Sequence, residues 1–155
     1  MTRILFICCS NICCSPMAEF VMKDLVKKAG LETRFHIESA ATSTEKVGDP
    51  IYPPALRILA KHGIDCTGKT ARQLTNADYD KYDLLIGMDQ SNLRDMYHIC
   101  GGDFNDKMHL LMEFTGRPGD VTDPWYTDDF ETTWRDVLDG CKGLLIHLES
   151  NRNLC

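Results

Sequence analysis

The stretch "FICCSNICCSPMAEF", residues 6–20, decides the fold and raises the main question about function. The apolar run over residues 3–8 is typical of a buried parallel strand, because helices cover both faces of such a sheet. Ser15 and Pro16 predict the start of a helix, with Ser15 as the N-cap, and Gly30 predicts its end. The stretch therefore predicts a strand, a helix, and between them a cysteine loop (residues 8–15) that contains two pairs of adjacent cysteines.

Short apolar runs alternate with segments of helical periodicity along the rest of the chain. We expect strands at residues 35–40, 84–88 and 108–112, and helices at residues 53–62, 90–99 and 129–148. This alternation predicts one α/β domain over residues 1–155, with a four-stranded parallel sheet and helices on both of its faces. Two long loops, residues 42–52 and 113–127, are rich in Gly, Pro and Asp and lie where such folds place their sites.

Charge and composition exclude several classes of function. The chain has 23 acidic and 17 basic residues and a formal net charge of −6, and no long basic cluster, so we expect no nucleic-acid partner. The apolar run of the N-terminal residues "MTRILFICCS" is too short for a signal peptide or a membrane span. We expect a cytoplasmic protein, without membrane association and monomeric.

The eight cysteines are expected to be reduced thiols, because no export signal precedes them and four lie within seven residues. The other four are scattered along the chain, and a solitary cysteine is usually a buried small hydrophobe or an idle surface thiol. We assign no function to these four residues, which are Cys66, Cys100, Cys141 and Cys155.

The cysteine loop has the position of an anion site, because backbone N–H groups between a strand end and a helix N-terminus point inward. Cys8 is the last residue of the predicted strand. Such donors lower the pKa of a thiol, and the hydroxyl of Ser15 is close in sequence, so we expect Cys8 to be an activated nucleophile. The alternative is that Cys8 is an ordinary core residue.

The run "ICCSNICCSPMAE" resembles the phosphate loop of the low-molecular-weight protein tyrosine phosphatases, whose signature is C-x5-R-S near the start of the chain. Other ordered segments resemble the same family, over residues 3–148 in total: "SAATS" at 39–43, "ARQ" at 71–73, "GMDQSNLR" at 87–94 and "DPWY" at 123–126. The resemblance implies the fold predicted above, with a phosphate loop between the first strand and the first helix, and no cofactor. It implies hydrolysis of a phosphotyrosine protein or a small aryl phosphate.

The resemblance also implies roles for individual residues. Cys8 would attack the phosphorus and form a phosphocysteine, while Asp123 would protonate the leaving group and later activate water. Ser15 would assist the thiolate, and Ser39 would support the loop. Around the phosphate and the substrate ring we expect Cys9, Ser10, Asn11, Ile12, Cys13, Cys14, Trp125 and Tyr126. Among these, Asn11 would shape the loop and Cys13 would form a reversible disulfide with Cys8.

One departure from the family pattern is severe, because the signature arginine is replaced by Cys14. Arginine gives two donors and a fixed positive charge to the transferring phosphoryl group, and a neutral thiol gives neither. Its loss is expected to cost about 3–5 kcal/mol, roughly two to four decades in rate. We therefore expect an impaired phosphatase.

Two further positions of the loop also depart from the family. Cys9 occupies a position where the family usually has Leu or another ordinary side chain, and Ser10 occupies the position of a glycine. If that position has positive φ, the serine costs on the order of 1 kcal/mol. Three departures in one loop indicate that its function is replaced rather than randomly altered.

Three alternatives stay open. Cys8, Cys9, Cys13 and Cys14 have the composition of a soft-ligand site for zinc, copper or an iron–sulfur cluster, although their spacing requires a rearranged loop. A pseudophosphatase would bind phosphate and turn it over slowly or not at all. Arsenate reduction is the weakest, since it needs a relay of resolving cysteines and Cys66 and Cys100 are solitary.

Overall fold

A computed structural model describes residues 1–153 and confirms the predicted fold class. The strands are β1 (Thr2–Cys8), β2 (Phe35–Ala41), β3 (Leu84–Gly87) and β4 (Met108–Leu110). The helices are α1 (Cys14–Lys28), α2 (Pro53–Lys61), α3 (Asn76–Lys81), α4 (Gln90–Cys100), α5 (Pro124–Thr127) and α6 (Phe130–Asn153). Short 3-10 turns lie at Glu32–Arg34 and Leu111–Phe114.

The four strands form one parallel sheet in the order β2-β1-β3-β4, so β1 lies at its centre. Side chains of β1 alternate between two hydrophobic clusters, because successive residues of a strand point to opposite faces. Ile4, Phe6 and Cys8 join the cluster beneath α1 and α6, whereas Leu5 and Ile7 join the cluster beneath α3 and α4. This double burial explains why β1 is an almost uninterrupted apolar run.

The structure corrects the predicted start of the first helix. Helix α1 begins at Cys14 with Cys13 at the N-cap, and no side chain caps it. Ser15 therefore lies inside the first turn, where its hydroxyl contacts Cys8 instead of a backbone N–H of its own helix. Gly30 follows the end of α1 with a φ of 73°, the left-handed conformation that glycine adopts without strain.

Other boundaries differ where a short element replaces a predicted strand or loop. The fourth strand ends at Leu110, not at 112, because the Glu113 carboxylate accepts the Leu110 N–H and starts a 3-10 turn. Helices α3 and α5 were not expected from the sequence; α3 is fixed by a capping box between Thr75 and Asp78. Helix α6 runs from Phe130 to Asn153, beyond the predicted end at 148.

The scattered cysteines Cys66, Cys100 and Cys141 are buried, as expected of small hydrophobes, while Cys155 lies outside the described residues. No helix within residues 1–153 has both the length and the apolar character needed to cross a membrane.

Candidate active site

The cysteine loop connects the carboxyl end of β1 to the start of α1 and is held by the segment that follows β2. Backbone N–H groups of Thr42 and Ser43 donate to the carbonyls of Cys8 and Cys9, each at 3.0 Å. Cys8 is paired in register with Ala41, so the loop leaves the sheet at the same edge as the loop after β2. The parallel topology therefore fixes the position of Cys8 at the rim of the sheet.

The Cys8 thiol is nearly buried and has two hydrogen-bond partners inside the loop. Its Sγ lies 2.9 Å from Ser15 Oγ and accepts the Asn11 N–H at 3.3 Å. Burial raises the pKa of Cys8, and hydrogen bonds from Ser15, Asn11 and Ser10 only partly offset that rise. The expected lowering of this pKa is wrong, because the desolvation of the buried thiol outweighs the hydrogen bonds that the loop donates to it.

Asn11 lies at the centre of a buried network beneath the loop. Its φ of 60° is left-handed, a conformation that asparagine tolerates better than most residues. Its side-chain Nδ2 donates to Ser15 Oγ at 2.8 Å and to Ser39 Oγ at 3.0 Å. Its Oδ1 accepts the Arg72 N–H at 3.2 Å. The side chain thus joins the loop, β2 and the segment before α3.

Ser10 does not carry the backbone strain considered for it. Among residues 1–153 the non-glycine residues with positive φ are Asn11, Asp106 and Asp128. The condition under which a serine would cost energy at this position is therefore not met.

A cavity of about 30 Å³, which we call the thiol cavity, lies over the cysteine loop. Its lining consists of Cys8, Cys9, Ser10, Cys13, Cys14, Met88, Asp89, Asn92, Val121 and Asp123. This lining contains two carboxylates and no basic side chain, so no cation occupies the place where the family signature has arginine. A larger groove of about 350 Å³ near Pro54 and Phe130 is lined by no thiol.

The three other loop thiols differ in exposure. Cys9 is exposed, whereas Cys13 and Cys14 are buried. Burial, with smaller contributions from Cys8 and Asp123, raises the pKa of Cys13 to about 12 and that of Cys14 well above its ordinary value. Both are therefore protonated thiols near neutral pH. Within the described part of the chain no three His, Cys, Asp or Glu side chains are arranged to hold a metal ion.

Asp123 is brought to the thiol cavity by the loop that precedes α5. It is the N-cap of α5, and its Oδ1 accepts the Trp125 N–H at 2.9 Å. Its carboxylate also lines a second cavity of about 220 Å³, the aromatic groove, which continues outward from the thiol cavity. Asp123 thus lies between the thiols and the open surface.

Two exposed aromatic side chains form the outer part of the aromatic groove. Trp125 is 52% and Tyr126 86% exposed. Trp125 is held from behind by Tyr52, with ring centroids 5.0 Å apart, and from one side by Lys46, whose Nζ is 5.8 Å from the indole centroid. The rest of the lining consists of Cys9, Ser10, Ile12, Cys13, Glu45 and Asp123.

The structure therefore brings the predicted residues of the loop together with Asp123, Trp125 and Tyr126, and places Ser39 behind them. Asp89, Asn92 and Lys46 also line the two cavities and were not predicted from the sequence. Asp89 follows the carboxyl end of β3, which neighbours β1. Because sites in parallel α/β folds lie beyond the carboxyl ends of the strands, its position in the sequence was a usable signal. Lys46 has no such signal, because it lies on a loop without periodicity.

Comparison with known proteins gives a single family. The family model described as low molecular weight phosphotyrosine protein phosphatase matches residues 3–154. The low molecular weight protein-tyrosine-phosphatase YfkJ of Bacillus subtilis is 34% identical over 158 aligned positions, which cover 99% of this chain and 100% of that protein. The corresponding phosphatase of Gallus gallus is 37% identical over 147 positions, 92% of each chain.

Solved structures agree with this result. The crystal structure of YfkJ matches with a TM-score of 0.94 at 33% identity, covering 97% of this chain and 96% of that chain. The phosphatase of Streptococcus pyogenes matches with a TM-score of 0.88 at 38% identity, covering 99% and 97%.

Proposed function

Because the chain belongs to the low molecular weight phosphotyrosine protein phosphatase family, we propose that it hydrolyses aryl phosphate monoesters on Cys8, slowly. The observation that carries this proposal is the placement of Cys8 Sγ, which accepts the Asn11 N–H, lies within hydrogen-bond distance of Ser15 Oγ and shares a cavity with Asp123. A nucleophile and a candidate proton donor thus face the same space.

The first step transfers the phosphoryl group to sulfur. The Cys8 thiolate forms a bond to phosphorus while the bond between phosphorus and the phenolic oxygen breaks, and Asp123 gives its proton to that oxygen. Inward-pointing loop N–H groups and the positive end of α1 would hold the phosphate oxygens. The aromatic groove would take the phenol ring, with Trp125 and Tyr126 as its apolar walls.

The second step restores the enzyme. Asp123, now a carboxylate, takes a proton from water, and the resulting hydroxide attacks phosphorus and displaces the Cys8 thiolate. Ser15 Oγ lies 2.9 Å from that sulfur, and by donating its proton to the departing thiolate it would make the sulfur a better leaving group. No cofactor enters either step.

The proposed impairment follows from the charges in the thiol cavity. A phosphate dianion would meet Asp89 and Asp123, with no basic side chain in the lining. The Cys14 thiol, buried and protonated, cannot balance this charge. Positive charge on the transferring phosphoryl group is a large part of catalysis in phosphoryl transfer, so turnover should be well below that of a chain with arginine at this position.

The test is phosphate release from para-nitrophenyl phosphate by the purified chain and by Cys8→Ser. We expect slow but measurable release by the parent and none above background by Cys8→Ser, with a phosphorylated cysteine trapped by rapid acid quench in the parent alone. Equal rates in the two proteins would eliminate Cys8 as the nucleophile.

A soft-metal site is the second candidate, and the composition of the thiol cavity favours it. All four loop cysteines line this cavity together with two carboxylates. Because no three ligands within residues 1–153 are already arranged for a metal, the cysteine loop would have to rearrange on binding. Anaerobic purification followed by metal analysis tests it; stoichiometric metal that is lost on replacing the four cysteines by serine would support this candidate over the phosphatase.

A pseudophosphatase differs from the slow phosphatase and from the metal site because it would bind phosphate without hydrolysing its esters. Such a protein would bind tungstate, a phosphate mimic, at the cysteine loop and release no phosphate from aryl esters.

We propose that the physiological substrates are phosphotyrosine proteins or small aryl phosphates, and that the protein acts as a cytoplasmic monomer. Its reversible Cys8–Cys13 disulfide stays a prediction.

A further inference from the structure

Residues 121–123, which we call the acid segment, are anchored to the elements around them before the chain reaches α5. The Val121 N–H donates to the Met88 carbonyl at 2.8 Å, and the Val121 side chain is buried. Met88 directly follows β3. The first residue of the acid segment is therefore fixed to the carboxyl end of β3.

The middle residue of the acid segment is anchored by a buried hydroxyl group. Thr133 lies in the first turn of α6 and is 0% exposed. Its Oγ1 donates to the Thr122 carbonyl at 2.8 Å. The reaction proposed above gives this hydroxyl no role, although Thr122 is bonded directly to Asp123.

The hydroxyl of Thr133 has a second acceptor, and the two distances decide between them. In a helix, a threonine hydroxyl can donate to the carbonyl four residues earlier, which here is that of Asp129 at 3.3 Å. A hydroxyl has one proton, and the usual O–H···O distance is about 2.7–2.8 Å. The Asp129 carbonyl also accepts the Thr133 N–H. The proton therefore belongs to the bond with Thr122, which leaves the helix and reaches the acid segment.

This bond orients the peptide that leads into Asp123. The Thr122 carbonyl and the Asp123 nitrogen share one rigid peptide plane, so a donor on the carbonyl fixes the direction in which the chain continues. On the other side, Pro124 restricts Asp123 to an extended backbone, which agrees with its φ of −77° and ψ of 113°. The carboxyl group is thus attached to a backbone that is constrained on both sides.

An ion pair holds the same loop to α6 at a second place. Arg117 donates to Asp136 and to Asp139, each at 2.8 Å. The Arg117 side chain is half exposed and precedes the acid segment, whereas the Thr133 hydroxyl is buried and contacts the segment itself. Of these contacts with α6, the Thr133 bond is the one next to Asp123.

We propose that Thr133 is a positioning residue for Asp123: its buried hydroxyl holds the Thr122 peptide on α6 and so keeps the Asp123 carboxyl at the thiol cavity. Thr133 lines neither the thiol cavity nor the aromatic groove, so it acts through Asp123. The effect on turnover rests on the proposed function, whereas the effect on the acid segment does not.

A general acid is sensitive to its position, because it must lie within hydrogen-bond reach of the oxygen that it protonates. A misplacement of about 1 Å, caused far from the chemistry, can cost as much as ~100-fold in rate. Without the Thr133 hydroxyl, the Thr122 carbonyl loses this donor and the acid segment is free to shift. The cost should appear in protonation of the leaving group, which matters most for esters of weakly acidic phenols.

The experiment compares kcat/KM on phenyl phosphate, which has a poor leaving group, with kcat/KM on para-nitrophenyl phosphate, which has a good one. The ratio of the two values isolates protonation, because a change in ring binding affects both esters alike. The test variants are Thr133→Val, which keeps the shape of the side chain and removes the hydroxyl, and Thr133→Ser, which keeps the hydroxyl. The control is Thr132→Val on the same turn, where Oγ1 donates to Asp129 Oδ2 at 2.6 Å, outside the acid segment.

We expect Thr133→Val to lower the ratio of phenyl phosphate to para-nitrophenyl phosphate about tenfold, which is part of the roughly 100-fold or more that general acid catalysis supplies. Thr133→Ser and Thr132→Val should keep the ratio of the parent. In the background of Asp123→Asn, Thr133→Val should change the ratio no further, because both changes act on one proton transfer.

Hydrogen exchange followed by NMR tests the anchor without any turnover. The reporters are the Val121 and Trp125 N–H groups, whose hydrogen bonds lie on either side of the Thr122 carbonyl. We expect both to exchange about fivefold faster in Thr133→Val, the change in local opening that loss of one typical hydrogen bond produces. Thr133→Ser and Thr132→Val should leave both exchange rates unchanged.

An unchanged ester ratio in Thr133→Val, an equal fall in Thr132→Val, or unchanged exchange of both reporters would overturn the proposal. If Thr133→Val does not fold, Thr133→Ala and Thr133→Ser make the same comparison, since they differ only in the hydroxyl. If Asp123→Asn slows both esters equally, or if the parent releases no phosphate, the proposed function fails. The exchange rates then decide by themselves whether Thr133 holds the acid segment.

Discussion

At the scale of single residues, Cys14 is the departure from the family signature with the largest expected effect on the rate. It is buried in the thiol cavity beside Asp89 and Asp123, whose negative charges have no basic counterpart in the lining. An arginine at this position could pair with these carboxylates and with the phosphoryl oxygens. The Cys14 thiol leaves the two carboxylates and the phosphoryl oxygens without a partner of opposite charge.

We predict that Cys14→Arg raises kcat on para-nitrophenyl phosphate by at least ~100-fold, with a smaller change in KM. The guanidinium follows the phosphoryl oxygens into the transition state, whereas backbone N–H groups already hold the ground-state phosphate. Steady-state kinetics measures the effect. The control is Arg57→Lys, a substitution on the surface outside the thiol cavity, which should leave kcat unchanged. A flat kcat would show that Cys9 and Ser10 limit the reaction, or that the loop has another function.

The raised pKa of Cys8 gives a pH dependence with a definite sign. Burial keeps the group a thiol at neutral pH, so the thiolate fraction should rise with pH through neutrality and up to pH 9. On para-nitrophenyl phosphate, whose leaving group depends little on protonation by Asp123, kcat/KM should rise with it. Cys14→Arg should move this rising limb to lower pH, because a nearby cation favours the thiolate. The pH profile of kcat/KM checks both statements, and a limb at the same pH in both proteins contradicts the assignment to Cys8.

At the scale of elements, the short helix α5 determines where the candidate general acid lies. Asp123 is fixed at its N-cap, and Trp125 and Tyr126 follow on the same turn. The acid and the aromatic walls therefore move as one unit. A change in the loop before α5 would displace both the proton donor and the binding surface for the phenol ring.

We predict that Asp123→Asn slows hydrolysis most for poor leaving groups. On phenyl phosphate, whose phenolate needs protonation, kcat/KM should fall about 100-fold or more, which is within the range of general acid catalysis. On para-nitrophenyl phosphate, whose leaving group needs less protonation, kcat/KM should fall clearly less. Asp120→Asn is the matched control, since this carboxylate lies three residues earlier and contacts the Gln90 N–H outside the thiol cavity. Equal losses for the two esters would exclude proton transfer by Asp123.

The elements that could be predicted from the sequence are those whose signal is local. β1 is a continuous apolar run and α1 has an amphipathic period, so both were found, and with them the position of Cys8 at a strand end. The N-cap prediction for Ser15 was wrong, because a serine before proline has the same local signature whether it caps a helix or faces a thiol. The pKa direction of Cys8 was wrong because its main cause is burial, which depends on how the whole fold packs around the loop and has no local signal in the sequence.

At the scale of the whole molecule, α6 packs against the 3-10 turn Leu111–Phe114 at a distance that requires glycine at its closest point. A Cβ atom on Gly143 would lie 1.9 Å from the Phe114 carbonyl oxygen, and one on Gly140 would lie 2.4 Å from the Leu111 side chain. The last helix therefore packs directly against the 3-10 turn after β4. This turn occupies the last residues of the fourth strand as predicted from the sequence, and its backbone is the part of the protein that α6 approaches most closely.

We predict that Gly143→Ala lowers the free energy of unfolding by about 1–3 kcal/mol, although alanine is the better helix former by about 1 kcal/mol. The reason is the overlap with a backbone carbonyl, which cannot move as a side chain can. Urea denaturation measures the change. Gly116→Ala is the control, because a Cβ there meets no atom within 4 Å and its φ is not positive, and it should not destabilise the protein.

The hydrogen bond between the Arg72 N–H and Asn11 Oδ1 joins positions 61 residues apart, and Asp123 comes later still in the chain. During synthesis, the cysteine loop leaves the ribosome long before the backbone that orients its asparagine and the carboxylate that completes the cavity. Thiols of an emerging chain are therefore exposed to oxidants before the fold buries them, and the fold protects them only when contacts of long sequence separation have formed. A chain truncated before residue 72 would retain all four loop cysteines but would lack both the Arg72 N–H that holds Asn11 and the Asp123 carboxylate that lines the thiol cavity.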